Sequence, residues 1–308
     1  MTKALPPRVR LTEVGPRDGL QNEKRIVPTS VKAAFVRALI GAGHTDIEVT
    51  SFVRPDVVPQ LADAEALFAR LGPPPDGVTY GALVPNRIGL ERALGAPVGK
   101  VSVFTAASET FNRRNVNASI EESIRRFRPV VDGARKAGLR IRGYVSTAFV
   151  CPYEGRVPPE RVAAVVERLF DLGCDEVSLG DTIGAATPPE VTRLLDLLLE
   201  VVEPSRLVCH FHDTRGTAVA NLMEALRHGI EAFDAASGGV GGCPFAPLAA
   251  GNLATEDAVY LLDRLGIEHG IELDRQREAS RAVAPYLGHP LAGRVLHAPT
   301  FPPPQDLP

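Results

Sequence analysis

The sequence predicts an α/β protein in which eight parallel strands close into a (β/α)8 barrel with a C-terminal helical extension. Three observations predict it. Eight short runs, most of them rich in β-branched residues, recur along the chain, and segments with helical spacing lie between many of them. The unusual polar residues gather just after the runs end, which is where such barrels carry their chemistry. The length of 308 residues also suits one barrel, since a barrel takes roughly 250 residues before extensions.

The strand-like runs are, in order, Val9–Val14, Asp46–Thr50, Val78–Val84, Lys100–Thr105, Arg140–Val145, Glu176–Leu179, Leu207–Phe211 and Glu231–Ala236. Helical spacing covers Ser30–Ala42, Asp63–Leu71, Ile120–Ala137, Pro159–Leu172, Pro188–Val202 and Thr217–His228. Several of these open on a proline or a Ser/Thr cap and close at a glycine, as in "VPTSVKAAFVRALIGAG". Strands alternating with helices of this length imply parallel pairing through right-handed crossovers. An open doubly wound sheet would alternate too, but the glycine fingerprint expected after its first strand is missing. One further helix is expected over Leu273–Tyr286, and the tail "APTFPPPQDLP" reads as an extended end. The expected organisation is one barrel domain over 1–308, with 271–308 as helical extension and proline-rich tail.

Composition narrows the function classes. Hydrophobic residues make up 44% and charged residues 23%, values of a globular chain with a full core rather than a disordered one. A net charge of −3 gives no global basic field, so neither nucleic acid nor an anionic membrane is expected as a partner. The longest apolar runs, such as Val191 to Val202, are too short and too interrupted by charge to span a bilayer. About eight residues precede the first strand, too few for a signal peptide. The four cysteines show no paired spacing, and a reducing cytoplasm is the expected compartment.

The rim expected to carry the site collects Arg17, Asp18 and Gln21 after strand one, Glu48 and Ser51 at strand two, and Asp181 and Thr182 at strand six. Strand seven ends in "HFHD", and the loop after strand eight contributes Cys243 and Asn252. His210 and His212 are two apart, so on a strand both imidazoles face one side and can converge on one point. With Asp18 and Asn252 on the same rim, two nitrogens and two oxygens suit an octahedral divalent cation, Mg2+ or Mn2+. Asp18 can also be read as a helix cap, and Arg17–Asp18 as a self-satisfied pair. Against these readings, an arginine beside a metal is what an enolate-forming reaction needs. Glu48 and Asp181 read equally as braces for Arg17 or a histidine. The five glycines at 238, 239, 241, 242 and 251 surround Cys243 and read either as a turn that cradles phosphate through backbone N–H groups, though without the lysine of a nucleotide-hydrolysing loop, or as a lid that carries a thiol. Cys151, Cys174 and Cys209 sit in or beside apolar strand segments and are expected to be inert packing.

Six segments together carry a family resemblance: "EVGPRDGLQNEK", "SFVRPDVVPQLAD", "RGYVSTAFVCPYEG", "SLGDTIG", "HFHDTRG" and "GGVGGCPFAPLAAGNLATED". Running in order from about Val9 to Leu265, they resemble the 3-hydroxy-3-methylglutaryl-CoA lyase family of the metal-dependent TIM barrels. The resemblance implies cleavage of (S)-3-hydroxy-3-methylglutaryl-CoA to acetyl-CoA and acetoacetate by a retro-Claisen step. It implies a cation on Asp18, His210, His212 and Asn252, with Asp18 or His210 as base. It also implies that Arg17 stabilises the enolate and that Cys243 returns a proton. Glu48, Gln21 and Asp181 would orient Arg17 and the metal ligands, with Gln21, Ser51 and Thr182 on the substrate side. Relatives of this kind are commonly homodimers, so a homodimer acting on an acyl-CoA is expected. Arg215 stands where animal members commonly carry an aromatic residue, which would alter pocket size or charge, and no cysteine follows Cys243.

The alternatives are a lyase for a related 3-hydroxy-3-alkylglutaryl-CoA and a Claisen-type synthase of the same superfamily. Synthases usually carry a further C-terminal domain, and only 43 residues follow Leu265. Carboxyltransferases and Schiff-base aldolases need a rim lysine. The chain has five lysines (3, 24, 32, 100 and 136), of which only Lys24 is expected near the rim.

Overall fold

The computed structural model describes residues 4–242 and 251–299. Eight parallel strands close a barrel: β1 Arg10–Glu13, β2 Asp46–Ser51, β3 Thr79–Leu83, β4 Lys100–Ala106, β5 Arg140–Ser146, β6 Glu176–Asp181, β7 Leu207–Phe211 and β8 Ala232–Ala235. Each strand pairs with its sequence neighbour, and β1 closes on β8 through the register Arg10↔Ala232 to Glu13↔Ala235. The fold is the (β/α)8 TIM barrel, with strand positions within one or two residues of those read from the sequence.

Helices lie between the strands: α1 Thr29–Gly41, α2 Ala64–Leu71, α3 Arg87–Ala93, α4 Glu109–Val116, α5 Ile120–Lys136, α6 Pro159–Leu172, α7 Pro188–Leu198 and α8 Ala218–Arg227. After β8 come α9 Thr255–Leu265, α10 Leu273–Leu287 and the short α11 Arg294–His297. Local chemistry accounts for several boundaries. Ser119 and Glu122 form a reciprocal capping box at the start of α5, and Thr187 with Glu190 does the same for α7. Helix α6 stops at Gly173 in the left-handed conformation. Helix α7 ends at Leu198, short of the expected Val202, because Leu199 caps it and a turn follows. The sequence reading had no counterpart for a two-stranded hairpin of Val150–Cys151 and Gly155–Arg156, nor for α3 and α4.

The outer faces of the strands are apolar. Ile47, Val49, Val101, Val103, Ile141, Val145, Val177, Leu179 and Phe233 are buried against the helices. The alternate positions turn inward, and several of these are charged: Asp46, Glu48, Lys100, Arg142, Glu176 and Asp234 are all buried. Toward the closed end, Lys100 Nζ holds the Asp46 carboxylate, and Arg142 Nε donates to Glu176 Oε1 at 2.6 Å. Lys100, expected away from the rim, is thus committed to an internal ion pair at the closed end.

A candidate active site at the barrel mouth

The chain leaves β1 in a tight π-helical turn, Gly15–Gly19, in which Arg17, Asp18 and Gly19 all aim their N–H groups at the carbonyl of Val14. A side chain at Gly19 would meet Val240 Cγ1 at 2.5 Å, so only glycine lets this turn pack against the loop after β8. The turn sets Arg17 and Asp18 side by side. Arg17 directs NH1 to Asp18 Oδ1 at 2.7 Å and its Nε and NH2 to Glu48 Oε2 at 2.5 Å. Burial alone would lower the pKa of Arg17, but Glu48 and Asp18 outweigh it and hold the guanidinium charged. Burial likewise opposes ionisation of Asp18, yet Arg17 and the two histidines bring it well below the usual carboxylate range. Asp18 is thus an ionised rim carboxylate rather than a helix cap.

His210 and His212 leave the end of β7 on one side, as their spacing requires. Their Nε2 atoms face each other at 3.1 Å, and Asp18 Oδ2 lies 3.9 Å from His210 Nε2. One donor atom from each of Asp18, His210 and His212 falls within 4.8 Å of the others. Asn252 joins them through a β-bridge to His212. Its Nδ2 donates to Asp18 Oδ2 at 3.0 Å and to Val240 O at 3.1 Å, which leaves Oδ1 buried without a hydrogen-bond partner. Gly241 passes beside this amide at a φ of 126°, where a Cβ would come within 2.6 Å of Asn252 Nδ2. Two facing imidazole nitrogens, an ionised carboxylate and an orphaned amide oxygen form a donor set that fits a hard-to-borderline divalent cation. Burial and the neighbouring His210 lower the His212 pKa to about 4, which keeps that ring neutral and able to ligate.

A cleft opens above these groups. Its floor holds Arg17, Asp18, His210 and His212, and Val53, Val58 and Phe104 line an apolar wall. Gln21 and Thr182 also border it, and the Thr182 hydroxyl accepts the N–H of Thr147 at 2.7 Å. Glu48 lies beneath, where it braces Arg17 and accepts from Tyr144 OH at 3.3 Å. Larger cavities lie at the closed end near Arg8 and beside Arg294, but the donor atoms converge only here among the described residues.

Three expectations about individual residues change. Ser51 was expected to touch substrate, but β2 runs on through it and pairs it with Leu83, so it is buried in the sheet and off the cleft walls. Asp181 does not brace Arg17 or a histidine. It belongs to the outward series of β6, and its carboxylate accepts the N–H groups of Ala185 and Ala186, which shapes the loop beneath Thr182; burial pushes it up to about 6. Arg215 leaves this cleft alone, since its NH1 is tied to the carbonyls of Ile183 and Gly184 at 2.8 and 3.0 Å. Cys243 lies outside the described residues. The other three cysteines are free and buried, and burial pushes the Cys174 thiol up to about 12.

Sequence reasoning missed two groups of residues. Glu13 is fully buried behind the turn, where it accepts from Gly15 N, Ser237 N and Thr255 Oγ1, tying the Arg17 turn to the loop after β8. Asp234 and Arg142 sit inside the barrel below His210. An aspartate in the otherwise apolar run "AFDAA" was the available signal for Asp234.

Comparison with known proteins places the chain in a family. A family profile described as HMGL-like matches residues 8–283. The hydroxymethylglutaryl-CoA lyase of Pseudomonas mevalonii is 47% identical over 280 residues, covering 91% of this chain and 93% of its own. The mitochondrial hydroxymethylglutaryl-CoA lyase of Rattus norvegicus is 48% identical over 294 residues, covering 96% of this chain and 90% of its own. Among solved structures, the hydroxymethylglutaryl-CoA lyase of Pseudomonas aeruginosa superimposes with a TM-score of 0.92 at 46% identity, over 95% of this chain and 97% of that one. An HMG-CoA lyase from Acinetobacter baumannii in complex with coenzyme A and 3-methylmalate gives 0.90 at 35% identity, over 98% and 100%.

Proposed function

Since the chain belongs to the HMGL-like family, we infer that it is a metal-dependent carbon–carbon lyase that cleaves 3-hydroxy-3-methylglutaryl-CoA to acetyl-CoA and acetoacetate. The observation that carries this reading is the convergence of Asp18, His210, His212 and the unpartnered Asn252 Oδ1 beside Arg17 at one barrel mouth.

Asp18, His210, His212 and Asn252 would hold the cation, with Mg2+ and Mn2+ both suited to the mixed oxygen and nitrogen donors. When bound, a divalent cation supplies Lewis acidity and lowers the pKa of a hydroxyl that it touches. The chain's own residues do the rest. Of the two candidate bases lining the cleft, Asp18 and His210, an imidazole whose free lone pair is held on the cation cannot take a proton, so the C3 hydroxyl of the substrate gives its proton to Asp18. The C2–C3 bond then breaks, its electron pair passes into the thioester carbonyl, and the ketone of acetoacetate forms at C3. The enolate oxygen of acetyl-CoA needs a fixed donor, and Arg17, immobilised by Glu48 and Asp18, is placed to supply it. A proton returned to the enolate carbon completes acetyl-CoA, a role assigned here to Cys243. Gln21 and Thr182 border the cleft from opposite loops and orient the bound acyl group.

The protein is proposed to work as a homodimer in the cytoplasm, a compartment consistent with three buried, free cysteines. No helix of the described residues is long and apolar enough to cross a membrane. The deciding experiment is a turnover panel of acyl-CoA thioesters with Mg2+, with Mn2+ and with EDTA. Acetoacetate release from 3-hydroxy-3-methylglutaryl-CoA, abolished by EDTA and restored by either ion, is the expected result. Turnover of only a longer-chain 3-hydroxyglutaryl-CoA would overturn the substrate assignment.

A further inference from the structure

Below the cleft floor, a buried carboxylate stands where it can decide what His210 offers to the site. Asp234 pairs directly with His210 in the β7–β8 register, and its Oδ2 is 3.2 Å from His210 Nδ1. Ser178 Oγ reaches the same oxygen at 2.9 Å, and Arg142 NH1 reaches Oδ1 at 2.6 Å. Arg142 is itself fixed, because Nε is bound to Glu176 at 2.6 Å and NH2 to Thr12 Oγ1 at 3.0 Å. Tyr144 packs edge-on against the His210 ring with centroids 6.2 Å apart, which limits its rotation. Asp234 is buried and does not line the cleft, so it acts through another residue.

We propose that Asp234, aligned by Arg142, is the positioning residue that locks His210 in its Nδ1–H tautomer and so presents the Nε2 lone pair to the cation site. The proposal rests on the reading of His210 as a ligand, but its central claim concerns the metal-free protein. An ionised carboxylate only accepts hydrogen bonds, so the ring nitrogen facing it must carry the proton. In a neutral imidazole the other nitrogen is then the acceptor. That nitrogen is Nε2, which faces His212 Nε2 at 3.1 Å and Asp18 Oδ2 at 3.9 Å.

Arg142 makes the isosteric variant Asp234→Asn informative. The guanidinium has no acceptor, so it draws the amide oxygen to itself. The amide NH2 is left facing His210 Nδ1, which can no longer donate and must accept. The ring proton moves to Nε2, and the ligand atom is blocked without any change of shape.

The test uses 15N-histidine-labelled, metal-free protein, with His210 assigned by comparison with His210→Gln, and reads ring tautomers from multiple-bond 1H–15N spectra. At a pH high enough to keep the ring neutral, wild-type His210 should carry its proton on Nδ1, and Asp234→Asn should move that proton to Nε2. Mn2+ titrated against each protein, with free ion followed by electron paramagnetic resonance, should bind the variant about 10- to 100-fold more weakly, the range found for lost outer partners of metal-bound histidines. A neutral wild-type His210 protonated at Nε2 in place of Nδ1, or a folded Asp234→Asn that binds Mn2+ within about threefold of wild type, would overturn the proposal. If Asp234→Asn fails to fold, Ser178→Ala decides. It removes only the competing donor, so the Nδ1–H tautomer and wild-type Mn2+ affinity must persist, and a switched tautomer there refutes the assignment. A failed lyase assay alongside the Nδ1–H tautomer would reject the catalytic reading and leave this one standing.

Discussion

Arg17→Lys separates charge from geometry at the centre of the site. The substitution keeps a cation, but Arg17 uses three nitrogens: Nε and NH2 on Glu48 Oε2 at 2.5 Å, and NH1 on Asp18 Oδ1 at 2.7 Å. A lysine ammonium is a point charge on a flexible stem and cannot hold both carboxylates in one plane. Its freedom also removes the fixed donor proposed for the enolate oxygen. Losing one such donor costs about 100- to 1,000-fold in kcat, or about 2.7–4 kcal/mol. Because the contact strengthens only as negative charge develops, kcat and kcat/KM should fall together while KM moves by less than about threefold. Stability should fall too, since each lost hydrogen bond to a buried charge is worth about 1.5–3 kcal/mol. Steady-state kinetics with acetoacetate coupled to NADH oxidation, beside a thermal melt, reads both effects. A folded Arg17→Lys with kcat within about fivefold of wild type would refute the argument that the fork, rather than the charge, serves catalysis.

Other outcomes can be stated briefly. Asn252→Ala should weaken Mn2+ binding by about 10-fold or more in calorimetry, because it removes the orphaned Oδ1 and the brace on Asp18 together. Cys243→Ser should lower kcat strongly and leave Mn2+ affinity at the wild-type value; unchanged turnover would remove the thiol from the reaction. Glu13 and Glu256 are both pushed up to about 7 by burial, so the folded protein keeps two protons that the unfolded chain releases near the ordinary carboxylate value of 4.5. Their favourable contribution is present below that value and is lost as pH rises through about 7, on the order of 1.4 kcal/mol per pH unit and group. His44 and His212, both lowered to about 4 by burial, offset two protons below the ordinary 6.5, while Asp181, pushed up to about 6, adds one, so the extra protons of the folded state still predominate. The melting temperature should therefore fall from pH 5.5 to pH 7.5, and Glu256→Gln should flatten that slope.

What the sequence disclosed depended on how local each signal was. The barrel was legible because its strands are apolar runs bounded by turns, and Glu176 to Phe211 contains a strand, a helix and a strand in plain alternation. The candidate ligand set was legible because His210 and His212 sit two apart at the end of one strand-like run, and strand ends are where barrel chemistry gathers. Asp181 misled because a charge at a strand end looks alike whether it faces the mouth or the helices. Its parity with Val177 and Leu179 carried the answer, and the observed bonds to Ala185 and Ala186 follow that parity. Asp234 and Glu13 stayed hidden for a different reason. Apart from Gly15, the partners of Glu13 and Asp234 lie 24 to 242 residues away, so only the closed barrel brings them together.

The charged interior then acquires a purpose that stability alone does not supply. Burying Arg142, Glu176, Lys100 and Asp46 costs desolvation that apolar side chains of similar volume would avoid. The pairs form a connected column instead, from Arg10 and Asp46 at the closed end through Glu176 and Arg142 to Asp234 and His210 at the mouth. Each member has donors or acceptors on two sides, so no single side chain can turn without breaking a bond elsewhere. An apolar filling would hold the strands together as well, yet it would remove Arg142, which aligns the Asp234 carboxylate facing His210 Nδ1. The charge at the closed end is therefore linked through bonded side chains to His210 at the mouth, and the proposed positioning of that ring is the return that would offset the cost of burial.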